Sequence, residues 1–441
     1  MLIHGPWKML VIAREPRDML IDYSILVLEI LSTRHEMEDK QEHDILGGAI
    51  VSIFWLGVLI VLLWPIGTAI YMLLLTILAN TRVQNNRPKG QVQFVTVFIP
   101  TLNEGPVLGD KIDSLSKFKI LHDKAQILII DGHSSDDTME VIHEYIEQHP
   151  NLKIIFLFQD GLGKADAVNT ALANIEHDLV IHTDCDSHLG AGAIERVLEA
   201  MRDQDIGVIT GRVRCESDKG LFGSIERGYR KYFDSIRSLE SRCDSVIVVN
   251  GPLLALRKHV FDIIPRDSLG DDSWIAVRAR RKGYRAIFLS SADVVEWLPV
   301  SLRGMIERKS RRAAGIAQTL WRNQDMLLNR EFGTYGTLIF PFNFAVYIIY
   351  PPLYAMGLAI AFLSCPFLLL LACGFLSIIL TAILILKPMA RVLATALGFL
   401  FSFGLLPLFL LYSELRLTRS RPAEWKKTED THDRKAYNKE T

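Results

Sequence analysis

The 441-residue chain is poor in several features that settle a protein class at once. Its five cysteines have no metal-ligand spacing: Cys185, Cys215 and Cys243 lie among charged residues, and Cys365 and Cys373 lie in an apolar stretch. Neither a disulfide framework nor a zinc knuckle is expected, and a reducing cytosolic face is the default surrounding. Neither sign of charge is in excess, with 49 Lys and Arg against 50 Asp and Glu. That balance removes the electrostatic ground for a nucleic-acid partner. The stretch Gly161-Leu162-Gly163-Lys164-Ala165 lacks the Walker spacing and the Ser or Thr after its Lys, so it is not a P-loop. A Lys opening a helix there is still suited to a phosphate or a nucleobase.

Two long stretches lack charge almost entirely. From Leu46 to Ala79 no residue is charged. At 1.5 Å per residue this is roughly 50 Å of helix, against about 30 Å of hydrocarbon in a bilayer. One tilted or Pro65-kinked span is predicted over 46–79, too long and too late for a cleavable signal peptide. Between Tyr335 and Tyr412 only Lys387 and Arg391 interrupt the apolar run. Break points are expected at Pro351-Pro352 and around Pro366, and about three spans fit the region 335–412. Acidic residues (Glu36, Glu38, Asp39) dominate the end of the polar tail 1–45, whereas Arg82, Arg87 and Lys89 follow the first span, and the tail 413–441 is basic. The positive-inside tendency puts the block at 81–300 and the basic tail in the cytoplasm of a multi-pass cell-membrane protein. A cytoplasmic tail asks for an even number of C-terminal spans, which three would not satisfy.

The block between has ordinary soluble composition and is large enough for its own core. Apolar runs at Val92–Ile99, Ala125–Ile130, Lys153–Phe158, Leu179–Thr183 and Gly207–Val213 alternate with helical patterns. This rhythm predicts an α/β fold with a mostly parallel, doubly wound sheet. Ligands of such sheets bind at the carboxyl ends of the strands, where Glu104, Asp131, Asp184 and Asp186 fall. Read as strand, Asp184 and Asp186 share one side of the chain. Two converging carboxylates call for a cation, and a divalent metal carrying a nucleotide diphosphate is the obvious one. Ser134 or Ser135 serves as a helix N-cap, whereas Asp131 caps nothing and suits a base or ribose contact. Asp271 and Asp272 open a helix, and pairing gives one of them the chance of a raised pKa. Over 301–334 an amphipathic pattern places Leu302, Ile306, Ala313, Ile316 and Leu320 opposite Arg308, Lys309, Arg311 and Arg312. It suits a membrane interface, or a helix whose Arg311 faces the site.

Taken together, the chain from about Leu46 onward resembles the membrane-integrated family-2 glycosyltransferases, the group of cellulose, chitin, hyaluronan and poly-N-acetylglucosamine synthases. Pro100 to Glu104 is similar to the PxYNE opening, Asp131 to Asp136 to DxSxD, Gly163-Lys164-Ala165 to GKA, and Asp184-Cys185-Asp186 to DxD. Gly270-Asp271-Asp272 looks like TED or GDD, Arg308 to Arg312 stands in the place of QxxRW, and Glu424 to Thr428 is similar to a Trp-Lys-Thr segment. The resemblance implies a GT-A-type domain, a nucleotide diphosphate sugar donor, Mg2+ or Mn2+, and inverting transfer. It implies that Thr101, Glu104, Asp131 and Lys164 hold the nucleotide and that Asp184 and Asp186 hold the diphosphate and metal. Asp272 would be the catalytic base, with Asp271, Arg308, Arg311 and Arg312 on the acceptor side. Arg308 replaces Gln and Arg312 replaces Trp in the last motif, which favours an anionic acceptor such as a lipid phosphate or uronic acid.

The expected function is sugar transfer to a growing polysaccharide, with single transfer to a lipid or lipid-phosphate acceptor as the alternative. A membrane-bound nucleotide-sugar binding protein without catalysis would have no use for Asp272. A transporter would need ionisable residues inside its spans.

Overall fold

The computed structural model describes residues 43–81, 94–123, 125–215, 221–296, 302–365, 407–408 and 410–412. The expected polar and basic tails lie essentially outside these residues, as do most of the expected later C-terminal spans and the Trp425 motif. The first helix, α1 (His43–Thr81), is continuous across Pro65. It holds the candidate membrane span Ile50–Thr81, and a second candidate covers Tyr335–Ser364.

The central domain begins with β1 (Val95–Thr101), α2 (Gly105–Ser116), the short α3 (Ile120–Asp123), β2 (Ala125–Asp131), α4 (Thr138–Gln148) and β3 (Ile154–Phe158). It continues with α5 (Lys164–Asn174), β4 (Leu179–His182), β5 (Ser187–Leu189), α6 (Ala193–Ala200), β6 (Ile206–Cys215) and α7 (Leu221–Cys243). β7 (Leu254–Arg257), α8 (Asp271–Arg281), β8 (Arg285–Glu296) and α9 (Leu302–Arg322) complete it. The eight strands form one sheet in the order β3-β2-β1-β4-β7-β6-β8-β5.

The sheet is mixed rather than mostly parallel. β3, β2, β1 and β4 run parallel, but β7 is antiparallel to both its neighbours and β5 is antiparallel to β8. Their sequences gave little signal: β5 is three residues long, and most of the apolar run from Val246 forms irregular backbone before β7. Period-two alternation sorts the side chains of β1. Val95, Val97 and Ile99 pack with Leu108, Ile112 and Ile142, while Phe98 joins Leu128, Val180 and the α5 residues Val168 and Ala171 on the other face. Helices on both faces leave the carboxyl ends of the strands as the open edge.

A third apolar cluster ties this domain to the candidate spans. Trp64, Tyr71 and Leu75 of α1 pack with Tyr232 and Ile236 of α7, with Ala313, Ile316 and Leu320 of α9, and with Phe340. The apolar face of α9 is thus covered by protein, where the sequence pattern alone suited a membrane interface. Its seat on α8 is made by two glycines: a Cβ on Gly270 would lie 2.7 Å from the Gly315 carbonyl carbon.

Beyond α9 the helix from Tyr335 runs through α10 (Phe340–Phe344) into α11 (Tyr350–Ser364), with π-helical turns at Tyr335–Ile339 and Ala345–Ile349. Pro351-Pro352 is not a break. Both prolines follow the π-helical turn Ala345–Ile349, and the helix continues through them. α11 crosses α1 at Gly57 and Gly357; a Cβ on Gly57 would meet Gly357 O and Ala361 N at 2.7 Å. Small residues at such a crossing let two apolar helices approach backbone to backbone.

Candidate active site

The loops after β1 and β2 are locked together by side-chain to backbone bonds. Asn103, at φ 53°, accepts from Ser135 N (2.7 Å) and donates its N–H to Ser134 Oγ (2.8 Å). The N–H groups of Glu104 and Gly105 both reach Thr138 Oγ1 at 2.9 Å. Asp131 is fully buried and closes a loop turn without capping a helix: Ser134 N (2.8 Å) and Ser134 Oγ (2.5 Å) donate to its two oxygens. Nor do Ser134 and Ser135 cap α4; Asp136 Oδ1 accepts from Thr138 N at 3.1 Å. Thr101 Oγ1 is buried at the end of β1 with no hydrogen-bond partner.

Gly163, at φ 91°, opens α5, and this backbone lets Lys164 turn inward. Its Nζ lies 2.9 Å from Asp184 Oδ1 and 3.7 Å from Asp271 Oδ2, so one ammonium joins the turn after β4 to the start of α8. Burial alone would push the Asp184 carboxyl up, but the charges of Lys164 and His182 outweigh it and hold the group well below the usual carboxylate range. Burial lowers His182 to about 4, with the Lys164 charge adding to it.

The Asp184-Cys185-Asp186 triplet forms a turn between β4 and β5, not the end of a strand. β4 stops at His182, so Asp184 and Asp186 owe their proximity to the turn rather than to strand alternation. Ser187 Oγ closes it by donating to Asp184 O at 2.8 Å. Beneath lies Lys111, which the sequence reading did not single out. Its Nζ donates to Thr183 Oγ1 and Ser187 O, both at 2.7 Å, and to Ser187 Oγ at 3.2 Å. The available signal was a cation within the apolar i, i+3, i+4, i+7 stripe of Leu108, Ile112 and Leu115.

On the other side α8 presents Asp271 and Asp272 in its first turn. A Cβ on Gly251 would lie 2.8 Å from Asp272 Oδ2, so the base candidate rests directly on that loop. Burial, then the neighbouring Asp271 charge, raises Asp272 to about 7, while Lys164 and Arg312 oppose the rise. Among the described residues Asp271 Oδ2 and Asp272 Oδ1 have no hydrogen-bond partner. Arg312 is half-buried and its charge acts on Asp272, whereas Arg311 lies on the exposed face of α9. Arg308 pairs with Glu296, which is in register with Ser187, and so leans toward the donor turn. Lys309 pairs with Glu226 at 2.8 Å.

Among the described residues no group of three or more His, Cys, Asp or Glu is arranged to hold a metal unaided. Two carboxylates on a turn fit an ion that takes its other ligands from phosphate oxygens and water.

A mixed sheet with helices on both faces and carboxylates gathered at its carboxyl edge is a GT-A-type domain. The solved structure of the mannosyltransferase PcManGT from Pyrobaculum calidifontis, in complex with GDP-Man and Mn2+, shares this fold: TM-score 0.63, 22% identity, covering 85% of this chain and 99% of that one. Residues 96–262 match the model of Glycosyl transferase family 2. Over 257 residues it is 25% identical to the poly-β-1,6-N-acetyl-D-glucosamine synthase of Staphylococcus aureus, a match spanning 57% of this chain and 60% of that synthase. It is 24% identical over 238 residues to an N-acetylglucosaminyltransferase of Bradyrhizobium diazoefficiens, covering 50% of this chain and 48% of that one.

Proposed function

We propose that this protein is an inverting transferase that moves a sugar from a nucleotide diphosphate sugar, in the first place a UDP-sugar, onto a growing polysaccharide at a membrane. The observation that carries this reading is Asp272. A general base must reach the acceptor hydroxyl and titrate near the working pH. Asp272 sits at the open edge of the sheet, is raised to about 7, and keeps Oδ1 unpaired.

Thr101, Glu104 and Asp131 form the nucleotide side, with Lys164 as the cation toward the diphosphate. Asp184 and Asp186 are the residues to hold Mg2+ or Mn2+, an ion that when bound offsets the charge of the leaving diphosphate. Asp271 stands beside the base and keeps its pKa high. Asp272 takes the proton of the acceptor hydroxyl as the acceptor oxygen displaces the diphosphate, and a single displacement inverts the anomeric centre. The similarity to the polysaccharide synthase supports a glycan acceptor, and the two candidate spans support action at a membrane.

Arg312 favours a second reading. It makes no ion pair among the described residues, yet acts on Asp272, which suits an anionic acceptor such as a lipid phosphate. Purified protein in detergent with Mn2+ or Mg2+ is offered a panel of nucleotide sugars; released nucleoside diphosphate is measured and any glycan is sized. Release with one donor and a long product is the expected result. Release only on adding a lipid phosphate gives the second reading, and no release with any donor leaves a nucleotide-sugar binding protein.

A further inference from the structure

Lys111 is completely buried on α2. Its three hydrogen bonds go to Thr183 and Ser187, the two residues that bracket the Asp184–Asp186 turn, and none goes to a carboxylate. The bonds continue outward. Thr183 Oγ1 donates to Pro252 O (2.8 Å), and Ser187 Oγ donates to Asp184 O (2.8 Å). Pro252 follows Gly251, the residue on which the Asp272 carboxylate rests. One ammonium therefore holds the donor turn and, chiefly through the Thr183 hydroxyl (2.8 Å) and more weakly through Ser187 Oγ (3.4 Å), the seat of the base. Burying an ammonium costs several kcal/mol after relaxation. A neutral apolar side chain would fill the same space without that cost, so the charge and its bonds need a use beyond packing.

We propose that Lys111 is a positioning residue that sets the donor turn and the seat of Asp272 in one fixed relation, so that diphosphate binding and proton transfer both depend on it. The proposal rests on the reading of Asp184 and Asp186 as the diphosphate site and Asp272 as the base. Two variants divide its two arms. Lys111→Met removes both. Thr183→Val, close to isosteric, removes the 2.8 Å link to Pro252 together with the Thr183 acceptor of Lys111, and leaves Lys111 on Ser187 with only the longer 3.4 Å contact to Pro252 O.

Nucleoside diphosphate affinity is measured by calorimetry with Mn2+ present, and kcat and donor KM by nucleotide release. Lys111→Met is expected to weaken nucleotide binding about tenfold and lower kcat about 100-fold, the scale of a 1 Å misplacement. Thr183→Val is expected to lower kcat about tenfold with nucleotide affinity unchanged. If Lys111→Met does not fold, the split between affinity and kcat in Thr183→Val decides alone. Wild-type affinity and kcat in Lys111→Met, or a Thr183→Val that melts lower but keeps kcat, overturns the proposal. Asp184→Asn serves as the control: undiminished nucleotide affinity there removes the underlying site reading instead.

Discussion

Replacing Asp272 by Asn should stop transfer and, at alkaline pH, make the protein more stable. In the folded chain the carboxyl is raised from 3.8 to about 7, by burial and then by Asp271. Below about pH 4 it is protonated folded and unfolded alike and has no effect on stability. Between about pH 4 and 7 the unfolded chain ionises while the folded chain resists, so stability falls as pH rises; above about 7 the penalty is constant. At 1.36 kcal/mol per pH unit the full penalty is about 4 kcal/mol. The neighbouring Lys164, Asp184 and Asp271 share this titration, and roughly half, about 2 kcal/mol, is taken as belonging to Asp272 alone. For a domain of this size that is about 4–8 °C in Tm. The assay is thermal unfolding of wild type and Asp272→Asn at pH 4.5 and pH 8.5, beside nucleotide binding and turnover. The Asn protein should melt about 4–8 °C higher at pH 8.5 and gain about a quarter of that at pH 4.5, where the unfolded carboxyl is already mostly ionised. It should bind nucleotide as before and transfer at least 100-fold more slowly, the low end of what a general base contributes. A gain equal at both pH values, or preserved turnover, refutes the reasoning.

Lys164→Met removes a charge that holds the Asp272 pKa down, so the acid limb of the pH–rate profile should move to higher pH; an unmoved limb separates Lys164 from the base. Gly251→Ala puts a methyl 2.8 Å from Asp272 Oδ2 and should lower kcat about 100-fold with the fold intact, and a normal kcat would mean that Asp272 does not rest there during turnover. Gly357→Leu at the α1–α11 crossing should cost about 1–3 kcal/mol in detergent by overpacking, visible as a lower melting temperature, whereas an unchanged one contradicts the close approach. In wild type, donor-saturated turnover should rise with pH through about 7 as Asp272 ionises, and a flat profile from pH 5 to 9 points to another base.

Much of the parallel half of the sheet could be read from the sequence because each strand there is a β-branched run ending at a polar turn. Asp131 and Asp184 stood out as charge at the ends of apolar runs, and Asp272 as one of two adjacent carboxylates opening a helix. The antiparallel half was not legible: Ser187–Leu189 is too short to show a period, and its pairing with β8 brings together residues more than a hundred positions apart. Turn chemistry was misjudged where short side chains compete for backbone N–H groups, as with Ser134, which bonds Asp131 while Asp136, one residue before the N-cap Asp137, accepts from Thr138 N. Lys111 escaped because a lysine in an amphipathic stripe reads as a solvated residue until its three acceptors are seen. The fates of Arg308, Arg311 and Arg312 depended on the rotation of α9 about its axis. The Gly270–Gly315 contact sets that rotation, and no charge pattern reveals it.

The length of α1 carries a consequence for the height of the site. Its 39 residues make a rod of about 58 Å, nearly twice the hydrocarbon thickness of about 30 Å. Along its second half the rod is fastened to α7, with Tyr71 OH donating to Glu240 (2.7 Å), the Cys243 thiol to Leu75 O (3.1 Å) and Arg242 to Asn80 (3.1 Å). In a bilayer such a rod acts as a stand-off post. Spanning one, it would set how far the carboxyl edge of the sheet stands from the lipid surface.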